Sequence, residues 1–283
     1  MSFQPLPALS PHTQLLPADP TRYAPSAERP VRAKARRLRA DTRIVPHSHP
    51  WAQVAFSTTG VLRVTAADHT YIVPPSRAVW VPPQVVHVVT VVEDAELRTL
   101  YIHPCGPAPG PAPLSPGKAT ADWSRCRVLE VSPLLRELVQ QLPTQPDAPP
   151  QAARERCITQ LLLDELHRAQ PVPLGVGLPA DKRLRALCES VLDDPTRHST
   201  LQGWAEEAGA SVRTVARLFR AELGTTFAEW RQQVLLAKAL SMAAAKRPMS
   251  HIAAELGYAS ASAFSAMVRR SVGVPPSRFF TAG

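Results

Sequence analysis

Hydrophobic and polar positions follow two different rhythms along this chain, and the change between them divides it. From Val31 to about His103 the apolar residues are largely β-branched or aromatic and come in short runs broken by proline or glycine. The runs lie around Gln53–Phe56, Gly60–Thr65, Thr70–Val73, Val79–Val81, Val85–Val92 and Leu97–Ile102. Short runs of that kind predict an all-β sandwich or barrel over 31–120. The proline-rich stretch 103–119 predicts an irregular surface connection, because each proline removes a backbone donor. Beyond it the period lengthens to about 3.6. Val128, Leu129, Leu134, Leu135, Leu138 and Val139 form one stripe. After a proline break at 143–150, Cys157, Ile158, Leu161, Leu162, Glu165 and Leu166 form another. These stripes predict a helical connector over 121–170, followed by a linker at 171–180 and an all-helical segment from 181 to 283. Residues 1–30, rich in Pro and Ala without a period, read as a loose N-terminal arm. The fold class expected is α+β.

The helical segment repeats itself. WAEEAGASVRTVARLFRAELG, from Trp204, matches IAAELGYASASAFSAMVRRSVG, from Ile252. Ala205 pairs with Ala253 and Gly209 with Gly257; after one extra residue in the second turn, Ser211 pairs with Ser260, Val215 with Phe264, Arg220 with Arg269 and Gly224 with Gly273. Each copy reads as a helix, a glycine turn, a serine-capped helix and a glycine stop. That is the plan of a helix-turn-helix unit, whose second helix enters the major groove of DNA. Between the copies, Thr226 to about Ala244 predicts one unbroken helix with Phe227, Trp230, Val234, Ala237 and Leu240 on its apolar face. At ~1.5 Å per residue it spans roughly 28 Å. One duplex turn is ~34 Å, so this rod suits two recognition helices in successive grooves.

Charge agrees with that reading. The formal net charge is +9 and the isoelectric point near 9.9, a surplus that favours a polyanionic partner. Cys105, Cys126, Cys157 and Cys188 are far apart with no CxxC spacing, which argues against a thiolate zinc site or a disulfide framework. No apolar run reaches the roughly 18 residues of a membrane span, and the N-terminus lacks a secretory pattern. A cytoplasmic protein without a membrane partner is expected.

The motifs SVRTVARLFRAELGTTFAEWR, AKAL and ELGYASASAFSAMVRRSVGVPPSRFF closely resemble the DNA-binding domain of the AraC/XylS family of transcription regulators, over roughly Asp181 to Phe280. The departures are Val268 and Val272 where the family usually has aromatic residues, and Phe280 for a terminal basic residue. The resemblance implies a regulator of transcription that binds double-stranded DNA. On the first recognition helix Arg213, Thr214, Arg217 and Arg220 are expected to face outward. Arg213 and Arg217, four apart, suit guanine O6 and N7, and Arg220 suits phosphate. In the second copy Ser262 and Ser265 are the residues placed to approach base edges. Arg269 and Arg270 are expected on the backbone, which positions a protein without reading sequence.

In the β region, PHSHPWAQVAFSTTG places His47 and His49 on one strand face, with Gln53 four residues after His49; VPPQVVH adds His87. The pattern resembles the two cupin motifs, with Gln53 in the glutamate position and Gln84 in the glycine position. That resemblance makes His47, His49, Gln53 and His87 either ligands of a divalent metal in the barrel or the polar lining of a small-molecule effector pocket. Loss of the carboxylate weakens the case for a hard ion. The basic run VRAKARRLRADTR, 31–43, reads as a charged edge strand, with DNA contact as the alternative. The whole arrangement looks similar to the cupin-bearing branch of the family, which implies a small-molecule sensor controlling a neighbouring transporter or efflux gene. Helices over 128–142 and 152–169 would make a homodimer contact or pack against the barrel, and RNA polymerase is a partner if the protein is an activator. The competing reading from another class is a cupin metalloenzyme with a helical appendage. Gln53 and the two helix-turn-helix units weigh against it.

Overall fold

The structure, a computed structural model, describes residues 13–17, 19–66, 69–75, 77–104, 123–149 and 152–281. Its strands are β1 (Thr13–Leu15), β2 (Val31–Leu38), β3 (Thr42–His47), β4 (Ala52–Ser57), β5 (Leu62–Ala66), β6 (His69–Val73), β7 (Arg77–Val81), β8 (His87–Val91), β9 (Ala95–Ile102), β10 (Arg127–Glu130), β11 (Pro171–Val172) and β12 (Gly175–Gly177). Its helices are α1 (Pro133–Gln141), α2 (Ala152–Arg168), α3 (Lys182–Asp193), α4 (Leu201–Glu207), α5 (Val212–Leu223), α6 (Phe227–Ala244), α7 (Met249–Glu255), α8 (Ala261–Val272) and α9 (Pro276–Thr281). Each of the six predicted β runs is a strand.

The strands make two facing sheets, ordered β1-β3-β8-β5-β6-β12 and β11-β10-β7-β4-β9-β2. This is a cupin-like jelly roll rather than a closed barrel. Alternation along the strands decides what lies inside. Leu62, Val64, Val73, Val79, Val81, Val89, Val91 and Leu97 meet between the sheets, where burial of each side chain contributes about 1.5–3 kcal/mol. The outer face of the second sheet presents Val54, Trp80 and Leu100 to Leu135 and Leu138 of α1 and Leu162 and Leu166 of α2. The outer face of the first sheet meets the C-terminal helices: Arg63 pairs with Asp193 of α3 at 2.9 Å, and Ile72 joins the apolar cluster of the helical domain.

Three expectations change. Val128 and Leu129 lie in strand β10, not in a helix, and α1 begins only at Pro133. Leu129 packs toward α1 and α2 while Val128 packs into the C-terminal cluster. Two adjacent apolar residues facing opposite ways mark a strand buried on both sides, which a short run cannot reveal by period alone. The expected linker is ordered as well: β11 pairs with β10 and β12 with β6, and Leu174 and Val176 are buried. At Gly175 a Cβ would stand 2.9 Å from the Tyr71 ring, so glycine there permits the close approach. The described part of the N-terminal arm is also ordered. β1 runs parallel to β3, a 3-10 turn spans Pro20–Tyr23, and Arg29 pairs with Glu155 at 2.8 Å. Residues 1–12 and most of the connection at 103–119 lie outside the described residues.

The repeat is realised in the backbone to the residue. α7 begins and ends 48 positions after α4, and α8 begins and ends 49 positions after α5. α6 starts at the predicted cap, where Thr226 and Glu229 form a capping box. The five residues predicted for its apolar face are buried, but so are Leu235, Leu236, Ala239 and Met242. α6 is therefore a central helix, enclosed by α3, α7, α8 and α9 and by strands β6 and β12. Among the described residues no helix is long and apolar enough to cross a membrane.

Candidate functional sites

In the first helical hairpin, the Ser211 hydroxyl accepts the Thr214 amide at 3.1 Å; in the second, the Ser260 hydroxyl accepts the Ala263 amide at 3.1 Å. These caps satisfy amides that a helix start leaves without partners. The turns carry Gly209 and Gly257 with φ of 62° and 79°, a backbone region that glycine enters without Cβ clash. Ala205 and Ala253 are each 1% exposed, so the paired helices touch closely. Val215 and Phe219 face inward from α5, and Phe264 and Val268 from α8. What remains outside is as expected: Arg213, Thr214, Arg217 and Arg220 are exposed on α5, Ser262, Arg269 and Arg270 are exposed on α8, and Ser265 is half-buried. Among the described residues Arg213 and Arg217 make no hydrogen bond or ion pair, so both are free to meet a ligand.

A cleft of about 480 Å³ separates the two units; Arg220, Thr226, Arg231, Gln232 and Tyr258 are among its lining residues. Arg231, Gln232 and Tyr258 were not legible as site residues in the sequence. Arg231 and Gln232 sit on the helix read as a rod, and Tyr258 lies in the longer second turn. Arg231 Nε donates to the Pro195 carbonyl at 2.9 Å, and burial lowers its pKa from the ordinary arginine value. The guanidinium is held by the fold while facing the cleft.

In the β domain the structure brings together all four predicted pocket residues. His47 lies opposite His87 across β3 and β8, and the ring centroids of His47, His49 and His87 are 4.3, 5.3 and 6.2 Å apart. Gln84, which holds the motif's glycine position, has φ of 65° and donates its amide to the His49 carbonyl at 2.8 Å. The left-handed backbone is thus kept without glycine, and it ties the loop carrying His87 to the strand carrying His49. Each histidine donates from Nδ1 to a backbone carbonyl, that of Val45, Trp51 or Val85, at 2.7–2.9 Å. This fixes the tautomer and leaves a lone pair at Nε2 of the neutral ring. His49 Nε2 lies 3.0 Å from Gln53 Oε1; the neutral ring offers only a lone pair there, so the two hydrogen-bond when the amide turns its NH2 group to the ring. His87 is fully buried and its Nε2 has no partner; burial pushes its pKa down to about 4, so it is neutral at physiological pH. Burial lowers His47 as well. Trp51 stacks on His49, Tyr101 meets both rings edge-on, and the Trp51 indole N–H is buried without a partner.

The donor set does not fit the divalent metal that the cupin resemblance made a candidate. Gln53 supplies no negative charge, and its side chain stands 3.0 Å from His49 Nε2, the atom that would ligate. No group of three or more His, Cys, Asp or Glu among the described residues is placed to hold an ion.

A jelly roll that gathers three histidines and a glutamine, packed through one sheet against a duplicated helix-turn-helix domain, defines a DNA-binding regulator with a built-in sensor. The sequence model described as "AraC-like ligand binding domain" matches residues 30–170, and that described as "Helix-turn-helix domain" matches 204–282. The HTH-type transcriptional regulator NimR of Escherichia coli (strain K12) is 30% identical over 233 residues, covering 82% of this chain and 81% of NimR. The HTH-type transcriptional regulator RipA of Corynebacterium glutamicum is 34% identical over 104 residues, 37% of this chain and 31% of RipA. Among solved structures, ToxT from Vibrio cholerae is 9% identical with a TM-score of 0.36, over 89% of this chain and 98% of that one. The chain belongs to the AraC family of transcription regulators. It is a regulator with a ligand-binding N-terminal domain, not an enzyme, and the metalloenzyme reading is set aside.

Proposed function

We propose that the protein selects its operator chiefly through α5, uses α8 as an anchor, and adjusts that grip according to occupancy of the N-terminal pocket. One observation carries the reading: Arg213 and Arg217 project unpaired from α5, whereas the corresponding positions on α8 are Ser262 and Ala266. Bidentate guanine contacts require the long donors, and α8 has arginines only in its last turn, at Arg269 and Arg270. In this arrangement Arg220 and Arg231 hold phosphates across the cleft between the units. The route from pocket to DNA is short. The first sheet bears His87 on its inner face, while the ion pair from Arg63 to Asp193 ties its outer face to α3. The Trp230 indole of α6 donates to the Gly177 carbonyl at 2.8 Å, joining the core helix to β12.

Two copies would dimerise through α1 and α2, whose outer side exposes Leu134, Cys157 and Leu161. Such a dimer works in the cytoplasm, meets RNA polymerase when it activates, and controls a neighbouring transporter gene. Selection of bound fragments from random duplexes tests the central claim. One half-site rich in invariant guanines beside a tolerant second half is expected. Equal information in both halves, or none in either, would overturn it.

A further inference from the structure

The buried face of edge strand β2 carries charge where a jelly roll ordinarily carries apolar side chains. Lys34 and Arg36 lie opposite Thr99 and Leu97 of β9, which lie opposite Ala55 and Ser57 of β4. Leu97 and Ala55 belong to the core between the sheets, so the register aims both cations at the interior that also receives His47 and His87. Lys34 is only 8% exposed. Its ammonium rests 5.6 Å from the Tyr23 ring, and among the described residues neither it nor Arg36 has an ion pair or hydrogen bond. Arg36 Nη1 is buried with no partner. Burial, then Arg36, pushes the Lys34 pKa down to about 8. Two neighbouring cations without a counter-charge destabilise the interior they face. Edge protection alone does not require them inside, because Arg37 on the same strand is exposed.

We propose that the interior of the sensor domain, where Arg36 Nη1, Trp51 Nε1 and His87 Nε2 are buried without partners, takes a small organic carboxylate, its negative charge between Lys34 and Arg36 and its apolar body against Trp51 and Tyr101. A hydroxyl or amine on the same molecule would satisfy the lone pair at His87 Nε2. The inference rests on reading the N-terminal domain as a sensor. It deepens that reading by giving the effector a charge, opposite in sign to the metal that the cupin resemblance suggested.

The test uses the full chain and a matched series of aliphatic and aromatic monocarboxylates and their neutral amides, followed by tryptophan fluorescence and by melting temperature. At least one carboxylate should raise the melting temperature and change the fluorescence while its amide does neither. Lys34→Met should weaken that carboxylate about tenfold or more, and Lys34→Arg should retain most of the affinity. Without ligand, Lys34→Met should melt higher than the parent, because a buried unpaired charge is gone. Affinity should also fall as pH rises through and above about 8, where Lys34 loses its proton; Arg36, Tyr23, Tyr101 and His47 are the other titratable groups that face it. Amides binding as well as carboxylates, or Lys34→Met binding unchanged, overturns the proposal. Binding of the selected duplex is measured on the same samples. Loss of carboxylate selectivity with DNA binding intact sinks only the anionic effector, whereas a parent protein that binds no duplex sinks the regulator reading itself.

Discussion

The two helix-turn-helix units share a backbone and differ in what they do with it. On their buried sides the sizes are exchanged: α5 turns Val215 and Phe219 inward, whereas α8 turns Phe264 and Val268 inward, so the large ring moves by one helical turn. Each ring finds aromatic company. Phe219 meets Phe227 and Trp230 at 5.4 and 5.8 Å, and Phe264 meets Tyr258 and Phe280 at 5.4 and 6.0 Å. Volume is thereby kept, as a close-packed core demands. The outward sides have no such constraint, and they diverge from arginine to serine and alanine. The scaffold is duplicated while the chemistry is not.

The largest test of that statement is in the core. Phe219→Ala and Phe264→Ala should each destabilise by about 3–5 kcal/mol, as measured by urea unfolding. Similar losses from both mean that the exchanged packing is equivalent. A loss confined to Phe219→Ala would show that the second unit is loosely packed and break the comparison.

Next comes Arg217→Ala, which should weaken binding to the selected duplex by about 1–3 kcal/mol and relax the base preference at one position. The matched change in the other unit, Ala266→Arg, should strengthen binding on many sequences. Equal losses for Arg217→Ala on selected and scrambled duplexes would reduce this side chain to a phosphate contact. A smaller, symmetric effect is expected at the turns. Gly209 and Gly257 have no neighbour within 4 Å of an added Cβ, so Gly209→Ala and Gly257→Ala lose only backbone comfort, about 1–2 kcal/mol each. A markedly larger loss at one of them would mean that the two turns are not equivalent.

The helical half was readable because its signals are local. Caps, glycine turns and small contact residues lie within one hairpin, and duplication shows them twice. Ser211, Ser260, Gly209 and Gly257 all take the predicted roles. The β half was readable as strands and as a histidine cluster, but not as a surface with an inside. Whether Lys34 and Arg36 point in or out depends on the register of β2 against β9, a long-range pairing that the basic run does not encode. The same holds for β10 and β12, whose partners come from distant parts of the chain. Gln84 shows the limit in the other direction. It stands in the glycine position of the motif, yet its backbone takes a φ of 65°.

The weakest expected effect bears most directly on the asymmetry. Arg269 occupies the last turn of α8, where the helix dipole favours a cation and where recognition helices meet phosphate more readily than bases. Arg269→Ala should therefore lower affinity by a similar factor on selected and scrambled duplexes, and reduce the slope of log K against log salt by about 1. Ser262→Ala, at the position that Arg213 occupies in the first unit, should change affinity by a few tenths of a kcal/mol, within the range of surface substitutions. Fluorescence anisotropy across a salt series separates the cases. If Arg269→Ala shifted the base preference while leaving the salt slope unchanged, α8 would be a reader, and the division of labour between the two units would have to be abandoned.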